Sequence, residues 1–445
     1  MLTTLLARPV FGINHVIAYG QSLSSGYEGT PVLSRTPRLD CLMLGESVRP
    51  VSDHAPRWEP VGEAELQPLI ATAQRIGDGA LLSPAAVAAL PPDSVLLGET
   101  VLEAALHHWR AAMPSGDGQH LLAASSCGVG GRSLERLSRG AKPELFNRLR
   151  DCTHAMRAAA ERQGRGYGVV ALLLLLLQGE HNNWGLDGAT ADRGAYKALF
   201  TRLCGDMIAE LAHGIAGQDM PPAVFTYQTG SAYAADHMAV PMAQWEASVE
   251  IPGLFLAAPC YPVTDKGGHL DANGYRWLGA QFGKAMHAVL DLGRDWRPLA
   301  PRSARVSGDV VRVRFDVPVP PLAFGRPYRG HRAGDVADQG FTVIDAAGTV
   351  PIVDVALDGA DGVAITLTRP SVGDCLLRYA DASHHGGLGG LHDSDATSCR
   401  DSYSYSYTPD AGHHPTANIV ELVDRPYPLM NWCVAFSIPV VANGV

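Results

Sequence analysis

Basic residues are scarce in this chain of 445 residues: 35 Lys and Arg stand against 45 Asp and Glu, a formal net charge of −10. Gripping a phosphate backbone depends on dense Lys and Arg that displace counterions, so no nucleic-acid partner is expected and a neutral or weakly charged substrate fits better. Long hydrophobic runs are also missing. Leu172 to Leu177 is the most apolar stretch, far short of the roughly 20 residues that cross a bilayer, so it reads as a buried central strand and no membrane span is expected. The first ten residues, Met1 to Val10, lack a basic segment followed by an apolar core, so no signal peptide is evident and a soluble protein of unassigned compartment is expected. The eight cysteines show no C-x-x-C and no Cys/His spacing suited to zinc, and read as buried small hydrophobes, with a Cys399–Cys433 disulfide left open. His384, His385, His392, His413 and His414 have no spacing that fixes a metal geometry, so no metal and no cofactor is expected.

What is present describes a globular protein: 46% hydrophobic and 18% charged residues are enough apolar surface to offset the entropy of ordering the chain. The length favours two domains. From residue 14 to about 293, apolar strand-like runs alternate with segments of helical period, the pattern of an α/β domain whose parallel sheet is covered by helices on both faces. Strands are predicted near 15–19, 120–125, 168–177, 223–228 and 254–258. Tyr196, Leu199, Phe200, Leu203, Met207 and Leu211 form one helical stripe; Tyr275, Leu278, Phe282, Met286 and Val289 form another, with Asp271 as a plausible N-cap. Residues 27–92 break the pattern and read as a long insertion after the first strand, placed where loops shape substrate sites. After a proline-bearing linker at Arg297–Pro301 the chain turns to short alternating strands, near 311–315, 341–345, 350–357, 363–368 and 375–380, closing with 432–438, which suggests a smaller β-sandwich. The expected domains are therefore 1–296 and 302–445. The run from Ser402 to Tyr407, alternating Ser and Tyr, reads as an exposed strand or loop.

Four segments carry candidate chemistry, each at the C-terminal end of a predicted strand. Gly20-Gln21-Ser22 ends the first strand and puts a hydroxyl on the turn beyond it. A serine hydroxyl is a weak nucleophile, and needs an exposed seat, a neighbouring base and donors for the oxyanion it creates. Ser125 to Ser133 includes Gly128, Gly130 and Gly131, whose backbone N–H groups can approach a ligand closely. Gln178-Gly179-Glu180 follows the Leu-rich strand, and Asp265 to Asp271 contains His269.

In this order the four segments resemble the blocks of the SGNH (GDSL-like) hydrolases, in particular the carbohydrate-esterase branch similar to sialate O-acetylesterases. The resemblance covers residues 14 to 293, about two thirds of the chain. It implies a three-layer α/β/α, flavodoxin-like fold and a serine esterase, with an acylated carbohydrate as substrate and O-acetyl as the acyl group. It also implies Ser22 as nucleophile, His269 as general base and Asp265 as the acid that orients the imidazole. The oxyanion hole would be formed by the backbone N–H groups of Ser22 and of Gly130 or Gly131 with the Gln178 side-chain amide, while Gln21 and Glu180 support their turns. Two departures stand out. The family spacing is Asp-x-x-His, whereas three residues separate Asp265 from His269, and Asp271 competes for the acid's role unless it caps the following helix. Many SGNH enzymes also carry Asn where this chain has Gln178.

Other readings fit less well. Gly128-Val129-Gly130 lacks the third glycine of a dinucleotide turn, Ser22 lacks the Gly-x-Ser-x-Gly elbow, and Cys127 fits a supporting loop better than a thiol nucleophile. A lipase or arylesterase of the same fold remains open, as does a tail-like glycan-binding protein with a vestigial esterase domain. The oligomeric state is not legible.

Overall fold

The computed structural model describes residues 5–91, 94–113, 120–175, 182, 188–230, 238–265, 269–329, 332–404, 419 and 421–442. Their order is a mixed α/β arrangement of several sheets. Apolar and β-branched runs supply the strands of a seven-stranded sheet: β1 (Gly12–Gly20), β2 (Arg38–Leu44), β3 (Leu66–Leu69), β4 (His120–Ser126), β5 (Tyr167–Leu175), β6 (Ala223–Gln228) and β7 (Leu254–Pro259). The spatial order is β7-β6-β5-β1-β4-β2-β3, with every neighbouring pair parallel except β2 with β3. The five strands read from the sequence are all here, within three residues at each described end. Strands β2 and β3 are not, because the interval 27–92 had no clean period. Yet Cys41 to Leu44 are buried and extend the sheet beside β4.

Alternation along β1 divides the interior. Val16 and Ala18 enter one apolar cluster with residues of α2 (Val101–Ala112) and α6 (Ala272–Met286). Ile13, Ile17 and Tyr19 enter another with α3 (Asn147–Arg162), α4 (Arg193–Met207) and α5 (Ala239–Glu250); α1 is the single turn Ser22–Ser25. Burying successive side chains on opposite faces is what a period of two in a strand requires. The Tyr196 stripe runs along α4 and on through a π-helical continuation, Ile208–Ala216. α6 begins where the sequence places it, the Asp271 carboxylate accepting from Gly274 N at 2.6 Å. α2 carries a capping box between Thr100 and Glu103.

The C-terminal strands form an eight-stranded sheet in the order Gly348–Val350, Phe341–Asp345, Cys375–Tyr379, Phe436–Ala442, Ala300–Ser307, Val310–Asp316, Gly362–Leu367, Ile352–Leu357. Val311, Val313 and Phe315 from one half and Val343, Leu377, Tyr379 and Phe436 from the other share a single core. Arg314, on the alternate face, pairs with Asp358 at 2.8 Å and Asp361 at 3.4 Å. The closing strand starts at Phe436 rather than 432, since the residues before it bond elsewhere: Cys433 N donates to Leu391 O and Val434 N to Leu299 O, both at 3.0 Å, while Gln228, last in β6, donates to Ala435 O and accepts from Ala435 N, at 2.8 and 2.7 Å.

One expectation for this region needs correcting. The Ser-Tyr run is not exposed at its start. Tyr403 is fully buried, within 6.0 Å of the Tyr427 ring, and Ser404 N donates to Asn273 Oδ1. With Cys399, Tyr427 and Leu429 it joins the cluster of α2 and α6, so chain from the C-terminal third completes a core built by the first. The segment Gly386 to Asp395 is tied down: Asp393 is buried and accepts from Val319 N and Asn431 N, and Asp395 pairs with Lys284 at the far end of α6 from Asp271. All eight cysteines are buried free thiols, as expected, so the disulfide left open between Cys399 and Cys433 is not formed; these two lie in different cores. Among the described residues, no helix is long and apolar enough to cross a membrane.

Two buried histidines on α2 make stability depend on pH. Burial holds His107 and His108 down at about 4, with the positive neighbours Arg38 and Lys284 respectively acting the same way. An unfolded histidine takes a proton near 6.5, so between that value and about 4 the unfolded chain binds more protons and the fold loses stability as pH falls. Thermal unfolding followed by circular dichroism should show Tm dropping across this window, and H107Q/H108Q should flatten the drop. An unchanged slope in that variant would assign the acid sensitivity elsewhere.

Candidate active site

The site is assembled at the C-terminal edge of the first sheet, from the ends of β1 and β4 and from the loop before α6. Gly20 ends β1 with φ +152°, and a methyl group on it would lie 2.1 Å from Leu175 O of β5. Only glycine lets the backbone turn off the sheet there. The chain then enters α1 with Ser22 as its first residue. The turn is fastened from three sides: Ser24 Oγ donates to Gln21 O at 2.5 Å, Ser25 Oγ to Ser22 O at 3.0 Å, and Ser126 Oγ to Ser24 O at 2.7 Å.

The glycine block after β4 lies alongside. Cys127 N donates to Ala18 O at 2.8 Å and Val129 N to Gly20 O at 2.9 Å, continuing the β1–β4 pairing past the strand ends. This brings Gly130 opposite the Ser22 turn, where a methyl group would come within 3.9 Å of Ser22 Cβ. Gly131 follows at φ +63°, and the Gln21 side-chain amide donates to Arg132 O, tying the two turns together. Cys127 Sγ points instead toward Arg148 O, and burial pushes its thiol pKa well up, as expected of an inert supporting residue.

His269 closes the site. Its Nε2 is 2.9 Å from Ser22 Oγ, across 247 positions of sequence, and its ring lies 4.6 Å from that of Tyr27. The carboxylate the structure sets at the other ring nitrogen is one the sequence reading did not single out: Glu28 Oε2 is 3.2 Å from Nδ1. Both side chains are mostly shielded, 19% exposed for His269 and 16% for Glu28. Asp265, the expected orienting acid, pairs through its backbone with Leu270 and so pinches the loop that presents His269. Asp271, its competitor, accepts from Thr264 Oγ1 as well as from Gly274 N and acts as the helix cap. Burial, reinforced by Glu28, raises the Tyr27 phenol so that it stays neutral beside the imidazole. Gln178 and Glu180 lie outside the described residues.

A second missed residue underlies the site. Arg49 is 1% exposed, and its guanidinium donates to Ser25 O at 3.2 Å, Gly98 O at 2.6 Å, Gln74 Oε1 at 3.0 Å and Thr72 O. Burial lowers it to about 10, so it remains a cation at neutral pH, opposed by the nearby Glu103 and Glu99. Neither Glu28 nor Arg49 belongs to a recognisable block. The one available signal was an acid between two glycines, six residues after Ser22.

No family model matches the chain, and no curated protein matches it in sequence. Among solved structures it is similar to a carbohydrate acetylesterase from Xanthomonas citri, with a TM-score of 0.53 at 14% identity, over 96% of this chain and 80% of that one. The likeness is one of fold. It supports an α/β arrangement followed by a β-rich region. Weaker matches are a protein from Arabidopsis thaliana (TM-score 0.43, 14% identity, 62% of this chain and 99% of that one) and a carbohydrate acetylesterase family member from Sinorhizobium meliloti (0.30, 12%, 63% and 98%).

Proposed function

We propose that the protein is a serine esterase that removes O-acyl groups, O-acetyl by preference, from a carbohydrate. The observation that carries this reading is the 2.9 Å approach of His269 Nε2 to Ser22 Oγ at the C-terminal edge of a parallel sheet. In the proposed reaction His269 takes the Ser22 proton as Oγ attacks the ester carbonyl. The tetrahedral oxyanion is held by the N–H groups of Ser22 and of Gly130 or Gly131, with Gln178 contributing its amide. Collapse breaks the bond to the sugar oxygen, which leaves with the proton from His269. Water, deprotonated by the same imidazole, then attacks the acetyl-enzyme and releases acetate and free Ser22.

The carbohydrate assignment draws on the block resemblance, on the printed activity of the Xanthomonas citri neighbour and on the net negative charge, which suits a neutral sugar. In architectural terms we propose a three-layer α/β/α hydrolase domain over 1–296 and a β-sandwich accessory domain over 302–445, the latter lending Cys399, Tyr403, Ile419, Tyr427 and Leu429 to the former's core. Because of that loan, removal of everything after 300 would strip apolar cover from α2 and α6, and is a poor way to ask what the accessory domain does.

One observation favours a lipase or arylesterase of the same fold. The segment following Glu28 helps to enclose a mostly apolar cavity of about 450 Å³, lined by Pro31, Val32, Ile70, Leu81, Leu82 and Val87 among others; Ser22 and His269 do not line it, so this reading requires an acyl or aryl group that extends beyond them. Hydrolysis of nitrophenyl esters of increasing chain length, run beside acetate release from a panel of acetylated sugars, separates the two. The glycan reading expects acetate to exceed butyrate and longer esters by tenfold or more in kcat/KM; the reverse order would replace it with the arylesterase.

A further inference from the structure

We infer that Glu28, carried by the nucleophile's own loop, is the residue that positions His269 for catalysis. The inference rests on Ser22 and His269 acting as nucleophile and base. With Nε2 accepting from Ser22 Oγ, the imidazole proton must sit on Nδ1 and needs an acceptor. Glu28 Oε2 at 3.2 Å is placed to take it, and the carboxylate's charge favours the imidazolium that forms when His269 accepts the serine proton. Shielding of both side chains strengthens the pair relative to one in open water.

The backbone is shaped for this contact. Glu28 holds φ +61°, a left-handed conformation that a residue with a β-carbon adopts at a cost. Its N–H is committed to Leu96 O at 2.9 Å. Gly26, at φ +72°, starts the reversal, and a methyl group there would lie 2.4 Å from Glu99 O. Tyr27 between them donates N–H to Ser22 O at 3.1 Å and accepts from Tyr275 OH at 2.8 Å, which anchors the loop to α6. Six residues therefore carry the chain from nucleophile to acid, and backbone bonds at both ends hold the two in register. The resemblance placed the acid on the histidine's loop, at Asp265, where the spacing departs from the family's. The other ionisable groups around the imidazole are Tyr27, which stays neutral, Asp271, engaged as helix cap, and Asp265 itself.

The test compares E28Q, E28D and D265N with the wild type and with S22A, on a nitrophenyl acetate. E28Q is expected to lower kcat by about 100-fold or more with KM within a few-fold. E28D should recover part of kcat, and D265N should fall less than tenfold. E28Q within threefold of wild type, or D265N showing the large loss in kcat at unchanged KM, overturns the assignment. Should E28Q fail to fold, the far-downfield imidazole N–H proton resonance decides: its persistence in D265N supports Glu28, its disappearance there assigns the role to Asp265. Activity surviving in S22A would instead remove the underlying esterase reading.

Discussion

Replacing Ser22 by alanine should lower kcat for ester hydrolysis by about 10³- to 10⁶-fold while leaving Tm within a degree or two of the wild type. Removing a nucleophile from a Ser–His pair eliminates the covalent route, and what survives is the rate given by substrate binding and oxyanion donors alone. The structural cost is small because the turn has anchors that do not depend on the Ser22 side chain. They are the hydroxyls of Ser24, Ser25 and Ser126 acting on backbone carbonyls, together with Val129 N on Gly20 O. Acetate release and circular dichroism on the same preparation separate lost chemistry from lost fold. Residual activity above one per cent of wild type, with the fold intact, would mean that the hydroxyl at 2.9 Å from His269 is not the attacking group.

Arg49→Met should have the largest effect on stability, about 3 to 5 kcal/mol, because it leaves buried partners behind without a cation. Gly98 O, Ser25 O and Gln74 Oε1 would lose donors that water has little room to replace. Glu99 and Glu103, both fully buried on the far side, would lose their opposing charge; burial, helped by Glu99, already pushes Glu103 up to about 7. Urea titration of the variant measures the loss, and kcat should fall with it because the carbonyl of Ser25 is held from behind by this guanidinium. A change under 1 kcal/mol would show that the arginine is a packed spectator and that the carboxyls are neutral without it.

How much of this was legible in advance follows from the range over which each interaction acts. The β1, β4, β5, β6 and β7 strands announce themselves because burial of a central strand is written in consecutive residues, and the Asp271 cap because its bond spans three positions. Ser22 and His269, which the structure brings to 2.9 Å of each other, were singled out through short motifs whose order along the chain carries the information. Glu28 was hidden for the opposite reason. Its partner lies about 240 positions away, and nothing in Gly26-Tyr27-Glu28-Gly29 discloses a positive φ or the direction it gives a side chain. Arg49 and β2 were lost in an interval without a period, since an ion satisfied by backbone carbonyls from Ser25, Thr72 and Gly98 leaves no pattern in its own neighbourhood. The buried start of the Ser-Tyr run was misread because hydroxyls look hydrophilic in a list, whereas Tyr403 packs its ring against the tilted ring of Tyr427 and Ser404 meets the side chain of Asn273.

The packing of Cys399, Tyr403, Tyr427 and Leu429 against α2 and α6, with Trp277 Nε1 donating to Pro428 O at 2.7 Å, gives an early-made core a wall that is made late. Synthesis runs from the N-terminus, so this flank of the helix after His269 gains its apolar cover only once the chain has been translated past Leu429. A nascent chain shorter than that carries the flank exposed, the kind of surface that aggregates unless a chaperone binds it.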